Sequence, residues 1–305
     1  QYNNGFPVLH HMKVLADTQL VHVERVTFFR EQLLFFLGSV PVIFCGLYAL
    51  LLYPSFENYR AFFWAFVCTL LIFVLLKAKG YYAIGLYPVF IAFGSVYLSH
   101  VLKEGWKKYL KPVLLALPVL LFIPVSQVLF PNKSPEYIVN NPGAYSSMGL
   151  LRWEDGKEHQ LPQDFADMLG WRELARKVDS LYDLMPAPDK TLVLCDNYGQ
   201  AGAINYYSTK KIRAVSFNAD YINWFDLSIQ YKHLLRIKTA GDVNNELAET
   251  SPYFQQSALA DSISNPYARE YGTAIFTFIH AGIDINSRIK QEITETKKGW
   301  QLSDQ

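Results

Sequence analysis

A chain of 305 residues with 28 Lys and Arg against 27 Asp and Glu is nearly neutral, which argues against a nucleic-acid partner and its need for a basic surface. Three cysteines, Cys45, Cys68 and Cys195, give no disulfide framework. A mean hydropathy just above zero averages two unlike halves. Nearly all long apolar runs lie before Phe130, while Pro131 to Gln305 reads as a soluble domain large enough for its own core.

The sequence opens at Gln1 with neither an initiator Met nor the three-part pattern of a signal peptide, and the expectation is a piece lacking its front half. In residues 1–30, Leu9, Met12, Ala16, Leu20 and Val23 recur every three or four positions. Lys13, Asp17 and Glu24 fall on another face, so an amphipathic helix on the outer membrane surface is expected. Adjacent histidines diverge on a helix. His10, His11 and His22 therefore read first as solvent-facing, with a divalent metal or substrate role as the alternative.

Residues 31–130 hold four runs near the ~20 residues needed to cross a ~30 Å hydrocarbon layer: Leu33 to Tyr53, Tyr59 to Leu76, Tyr81 to Val101 and Pro112 to Phe130. Pro41, Pro88, Pro118 and Pro124 lie inside them, so neighbouring helices must satisfy the freed backbone groups. A bundle larger than four isolated spans is expected. Lys103, Lys107, Lys108 and Lys111 in one loop, and Arg60 in another, mark those loops as cytoplasmic, although Lys13, Arg25 and Arg30 pull the other way. Four crossings then put the turn at Lys77 and residues 131–305 outside.

That turn, in LLKAKGYYAIGLYPVF (Leu75 to Phe90), sets Lys77, Lys79, Tyr81 and Tyr82 between two apolar runs. Two readings are open. The lysines snorkel to headgroups from two helix ends, or two ammonium groups and two phenols clamp the phosphate of an isoprenoid whose tail lies in the bilayer.

In residues 131–305 the spacing predicts a helix from Gln163 to Tyr182, ended by Pro186 and Pro188, then a buried strand TLVLC, a Gly-containing turn and a helix through Ile204. Further strands are expected at Ile212 to Phe217, Leu234 to Lys238, Gln255 to Leu259 and Thr273 to Phe278. This alternation predicts a small α/β layer domain. Asp196, Asn197, Tyr198 and Gln200, at a strand's carboxyl end, suit a sugar or peptide acceptor, against a purely structural turn. Tyr206, Tyr207, Lys210, Lys211 and Arg213 read as a solvated basic face. No P-loop, dinucleotide fingerprint or nucleophile elbow occurs in the sequence. Asn132-Lys133-Ser134 matches the glycosylation triplet, weakened by Pro135.

The turn motif KAKGYYAIGLYPVF resembles the family 39 membrane glycosyltransferases of the GT-C fold, the protein O-mannosyltransferase and aminoarabinose-transferase type. CDNYGQAGAINYY (Cys195 to Tyr207) and NPYAREYGTAIF (Asn265 to Phe276) are similar to the family's extracytoplasmic domain, and QYNNGFPVLHHMKVLADTQL (Gln1 to Leu20) to an outer loop. Many relatives have Leu-Pro where this chain has Ile84-Gly85. The resemblance implies an α-helical integral membrane bundle, four spans of a larger GT-C-like bundle, followed by a small extracytoplasmic α/β domain. It implies transfer of a sugar from a polyprenyl-phosphate donor to an acceptor lipid, glycan or protein at the outer face of a bacterial plasma membrane. By matching, Lys77, Lys79 and Tyr82, with Tyr81, lie at the donor phosphate, and the catalytic acidic residue lies upstream of this chain. The rival expectation is a membrane-anchored module that binds a glycan or protein without catalysis. A transporter is disfavoured because no ionisable residue sits midway along any run.

Overall fold

The computed structural model describes residues 7–18, 20 and 23–302; the side chains of His10, His11 and His22 lie outside the described residues. The chain divides into two compact units, one of 15–134 with 154–157, the other of the described parts of 1–14, 135–153 and 158–305. Helix α1 (Pro7–Thr18) ends before the expected Val23, and its Val8, Leu9 and Met12 are exposed.

In the apolar unit, α2 (Arg25–Phe35) and α3 (Val40–Leu52) meet at 102°. The expected span Leu33 to Tyr53 is therefore not one straight helix. Pro41 favours a helical first turn and disrupts a helix interior, so it starts α3 where it would have broken a longer helix. Gly38, in the bend, lets the chain pack closely on Pro118: a Cβ there would lie 2.3 Å from Pro118 Cα. The 13 residues of α3 rise only about 20 Å, short of the hydrocarbon layer.

Helices α4 (Arg60–Leu75), α5 (Tyr87–Val101) and α6 (Leu110–Leu129) each carry a 3-10 lead-in, giving continuous stretches Pro54–Leu75, Gly80–Val101 and Gly105–Leu129. These three are long and apolar enough to cross a membrane, and the bent α2–α3 pair is a fourth if it forms one broken span. With four crossings the two ends of the region share a side; with three they do not. The apolar faces stay bare, Leu115 being 77% and Leu76 68% exposed. Surfaces like these need lipid or further helices over them. Where α3 crosses α5, Gly46 and Gly94 let the backbones meet, since Cβ atoms would come within 2.1 Å of Phe90 O and 1.9 Å of Val42 O. Small residues at a crossing are how apolar helices associate without a solvent to drive them.

The other unit begins with α7 (Pro135–Asn140), α8 (Gly143–Ser147) and α9 (Gln163–Ala166), then α10 (Trp171–Leu184). The helix expected over 163–182 is broken between Ala166 and Trp171, where Gly170, at the N-cap of α10, adopts φ +85°, a left-handed conformation that a side chain would strain. Strands β1 (Thr191–Cys195), β2 (Ala214–Ser216), β3 (His233–Lys238), β4 (Phe254–Ser262) and β5 (Ala274–Ala281) form one sheet in the order β2-β1-β3-β5-β4. Pairing is parallel among β2, β1 and β3, and antiparallel for β5 and β4. Side chains alternate between two cores. Val193, Cys195, Leu235, Ile237 and Ile275 face α10 and α11 (Tyr198–Tyr207). Leu192, Leu234, Phe276 and Phe278 face α13 (Ile285–Leu302), and α12 (Val243–Thr250) follows β3. The result is the small mixed α/β domain the alternation predicts.

A carboxylate clamp ties α10 to the end of β4. Glu173 accepts from the Ser264 N–H at 2.8 Å and its hydroxyl at 2.7 Å, and Lys177 pairs with Glu173 at 3.1 Å and Asp261 at 2.8 Å. Burial raises the Glu173 carboxyl pKa, but these donors outweigh it and hold it down at about 2, from an ordinary 4.5. A depressed folded-state value adds stability that is present above the unfolded carboxyl's pKa and lost as pH falls through the folded one. Urea-unfolding midpoints of the wild type should therefore fall between about pH 4.5 and 2 more steeply than those of Glu173→Gln; parallel profiles would remove the clamp from the account.

Candidate functional site

The turn between α4 and α5 is built from both ends. Helix α4 closes with the Ala78 N–H bonded to Phe73 O at 2.8 Å and the Lys77 N–H to Val74 O at 3.3 Å, the paired bonds of a Schellman cap. Lys77 holds the left-handed cap position at φ 52°, where glycine is usual. That conformation costs a non-glycine residue about 1 kcal/mol or more, and strain of this kind clusters at functional sites.

Helix α2 holds the other side. Arg25 Nε donates to Val74 O at 3.3 Å, and Gln32 Nε2 donates to Gly80 O at 3.0 Å and Phe28 O at 3.2 Å. Gly80 lets the Glu31 carboxylate close on the turn, for a Cβ would sit 2.0 Å from Glu31 Oε2. Gln32 is 6% exposed, and its Oε1 has no hydrogen-bond donor among the described residues. An acceptor of that kind, buried beside Gly80, is suited to a ligand hydroxyl.

Of the expected donor-phosphate residues, Lys79, Tyr81 and Tyr82 have side-chain contacts at the turn. The Lys79 ammonium forms an ion pair with Glu154 and lies 5.9 Å from the centre of the Tyr81 ring. Tyr81 and Tyr82 meet edge to face at 4.8 Å and are 51% and 41% exposed. Ile84-Gly85 lies in the 3-10 stretch Gly80–Leu86 that leads into α5. Sequence reading missed Arg25, Gln32 and Glu154. Arg25 and Gln32 lie among the other polar residues Thr27, Arg30 and Glu31 of α2 and do not stand out in sequence, and residues 154–157 join this unit only through folding.

The second set lies on the sheet. After β1 the chain turns to β2 on one side, and after β3 it moves to the other, so the carboxyl ends of β1 and β3 form the topological switch point where open α/β sheets bind ligands. Asp196 sits there. Its carboxylate pairs with Arg236, lies 3.5 Å from Lys238 Nζ and accepts from the Thr239 N–H at 2.8 Å. Glu246, 6% exposed, completes the square at 3.8 Å from Arg236 and 3.5 Å from Lys238. No family model, curated protein or solved structure matches the chain.

Gln200 is fully buried: its amide nitrogen donates to Thr239 Oγ1 at 3.1 Å and Glu270 at 2.8 Å, and its oxygen accepts from the Asp196 N–H at 3.2 Å. Asn197 caps α11 by accepting from the Gln200 N–H at 2.9 Å, and Tyr198 is 48% exposed. The network's cations were missed, although Arg236 and Lys238 alternating in the apolar strand HLLRIK are a readable sign. Burial pushes the neighbouring Cys195 thiol up, which suits a core residue and not a thiolate nucleophile. Among the described residues no group of three or more His, Cys, Asp or Glu is arranged to hold a metal.

Proposed function

We propose that this chain takes part in transferring a sugar from a polyprenyl-phosphate donor to an acceptor at the outer face of a membrane. The observation that carries the reading is the fixed turn between two membrane-length helices, with Lys77 held in a strained conformation and Lys79 beside the Tyr81 ring, which packs on Tyr82. In the transfer, an acceptor oxygen bonds to the anomeric carbon as the bond from that carbon to the phosphate oxygen breaks. The phosphate departs with the electron pair, and fixed cations at that oxygen stabilise the transition state more than the ground state. Arg25 and Gln32 position the turn, and the Tyr82 hydroxyl is the neutral donor to phosphate. The acceptor's base is assigned to no residue of this chain.

The test is transfer from a radiolabelled polyprenyl-phosphate sugar in membranes carrying the full-length protein. Absence of transfer with every donor sugar tried would leave the rival reading of an anchored binding module.

Glu154 gives a further expectation. A donor phosphate and the Glu154 carboxylate would compete for the Lys79 ammonium, and like charges so close repel. Glu154→Gln should therefore lower the donor KM by up to about fivefold, the equivalent of a part-exposed ion pair. An unchanged KM would mean that phosphate and Glu154 do not share Lys79.

A further inference from the structure

Helix α10 and the end of α11 enclose an open cleft of about 450 Å³ that none of the chemistry above uses. Its lining includes Arg172, Arg176, Asp179, Asp183, Tyr207 and Lys210. The charges do not balance. Asp179 is buried and accepts from the Thr209 N–H at 2.8 Å, the Thr209 hydroxyl at 2.9 Å and the Ser208 hydroxyl at 2.5 Å. Asp183 pairs with Lys210 at 2.7 Å. Arg172 and Arg176 remain, one turn apart on an exposed face of α10, and no carboxylate among the described residues forms a salt bridge with either.

Guanidinium groups so spaced, with Cβ atoms about 6 Å apart, can grip one phosphate or carboxylate between them through paired N–H donors. The neighbourhood adds flat apolar surface. Arg172 lies 5.2 Å from the centre of the Tyr207 ring, and Tyr206, 80% exposed, meets Tyr207 edge to face at 4.8 Å. An exposed aromatic pair beside a cationic cleft suits a ligand that combines an anionic group with a ring having apolar faces.

From this we infer that the cleft formed by Arg172, Arg176 and Tyr207 binds a sugar bearing a phosphate or carboxylate. The anion sits between the two guanidinium groups and the sugar ring lies against the tyrosines. The inference rests on residues 172–210 and on binding alone, so it stands or falls separately from sugar transfer.

The experiment is calorimetric titration of the full chain in detergent with glucose 6-phosphate, glucuronate, glycerol 3-phosphate, inorganic phosphate and glucose. Glucose 6-phosphate should bind more tightly than inorganic phosphate or glycerol 3-phosphate, and glucose should not bind. Arg172→Gln and Arg176→Gln should each weaken binding about tenfold, and the pair together should abolish it. Both side chains are exposed, so the thermal midpoint should not move. Tyr206→Ala should weaken glucose 6-phosphate while leaving inorganic phosphate unchanged. No binding by the wild type, binding untouched by the double substitution, or binding lost instead in Lys79→Ala would each overturn the site. Equal affinity for all three phosphates would overturn its sugar component and leave a headgroup-like anion site.

Discussion

Lys79→Ala is expected to lower the proposed sugar transfer by about a hundred- to a thousandfold, the range seen when one preorganised donor to a developing oxyanion is removed. Lys79 is the cation most firmly placed at the turn, with its ammonium beside the Tyr81 ring and its side chain 12% exposed. The same substitution leaves the Glu154 carboxylate without its lysine, and that charge alone could repel a donor phosphate. Lys79→Ala with Glu154→Gln separates the two causes. If Lys79 acts on the phosphate, the double variant stays as slow as the single; recovery of transfer would reduce Lys79 to a counter-ion for Glu154. Lys77→Gly is the companion test. Glycine takes the left-handed cap position without strain, so the turn should hold or tighten while transfer falls. Undiminished transfer would return Lys77 to a snorkelling role.

The lysines and tyrosines of the turn stand out in sequence because cations between two apolar runs break the composition locally. What surrounds them does not. Arg25 lies 49 positions from Val74, Gln32 48 from Gly80 and Glu154 75 from Lys79, and pairings at such separations are fixed by packing, not by local pattern. The break of the first apolar run has the same origin. Hydropathy is continuous from Leu33 to Tyr53, and the helix-starting role of Pro41 divides it at a bend that packs on Pro118. In the α/β unit β1 coincides with its expected TLVLC, since apolar residues bounded by Lys190 and Asp196 leave little choice of register. Gly170 shows the opposite case, for apolar spacing runs on across it while its φ of +85° stands at the N-cap of a separate helix, α10. The Arg172 and Arg176 pair was hidden in an ordinary amphipathic helix, and only its neighbour Tyr207, brought from α11, turns it into a cleft.

Asp196→Ala is expected to destabilise the α/β unit by about 3–5 kcal/mol, the range for breaking a buried ion pair by removing one partner. The reason lies in what Asp196 holds together. It spans the carboxyl ends of β1 and β3, compensates Arg236 and Lys238, both less than one fifth exposed, and takes the Thr239 N–H that no strand bonds. Glu246 would remain near both cations, but at 3.8 Å and 3.5 Å, without the backbone contact. Asp196→Asn keeps an oxygen for the Thr239 N–H while losing the charge, so it should fall between wild type and alanine. Acceptor binding predicts a different order. If Asp196 touches an acceptor, the asparagine variant should lose transfer even at a temperature where it is fully folded. If its work is to hold the switch point closed, the asparagine variant should keep its transfer wherever it stays folded and lose it only as it unfolds.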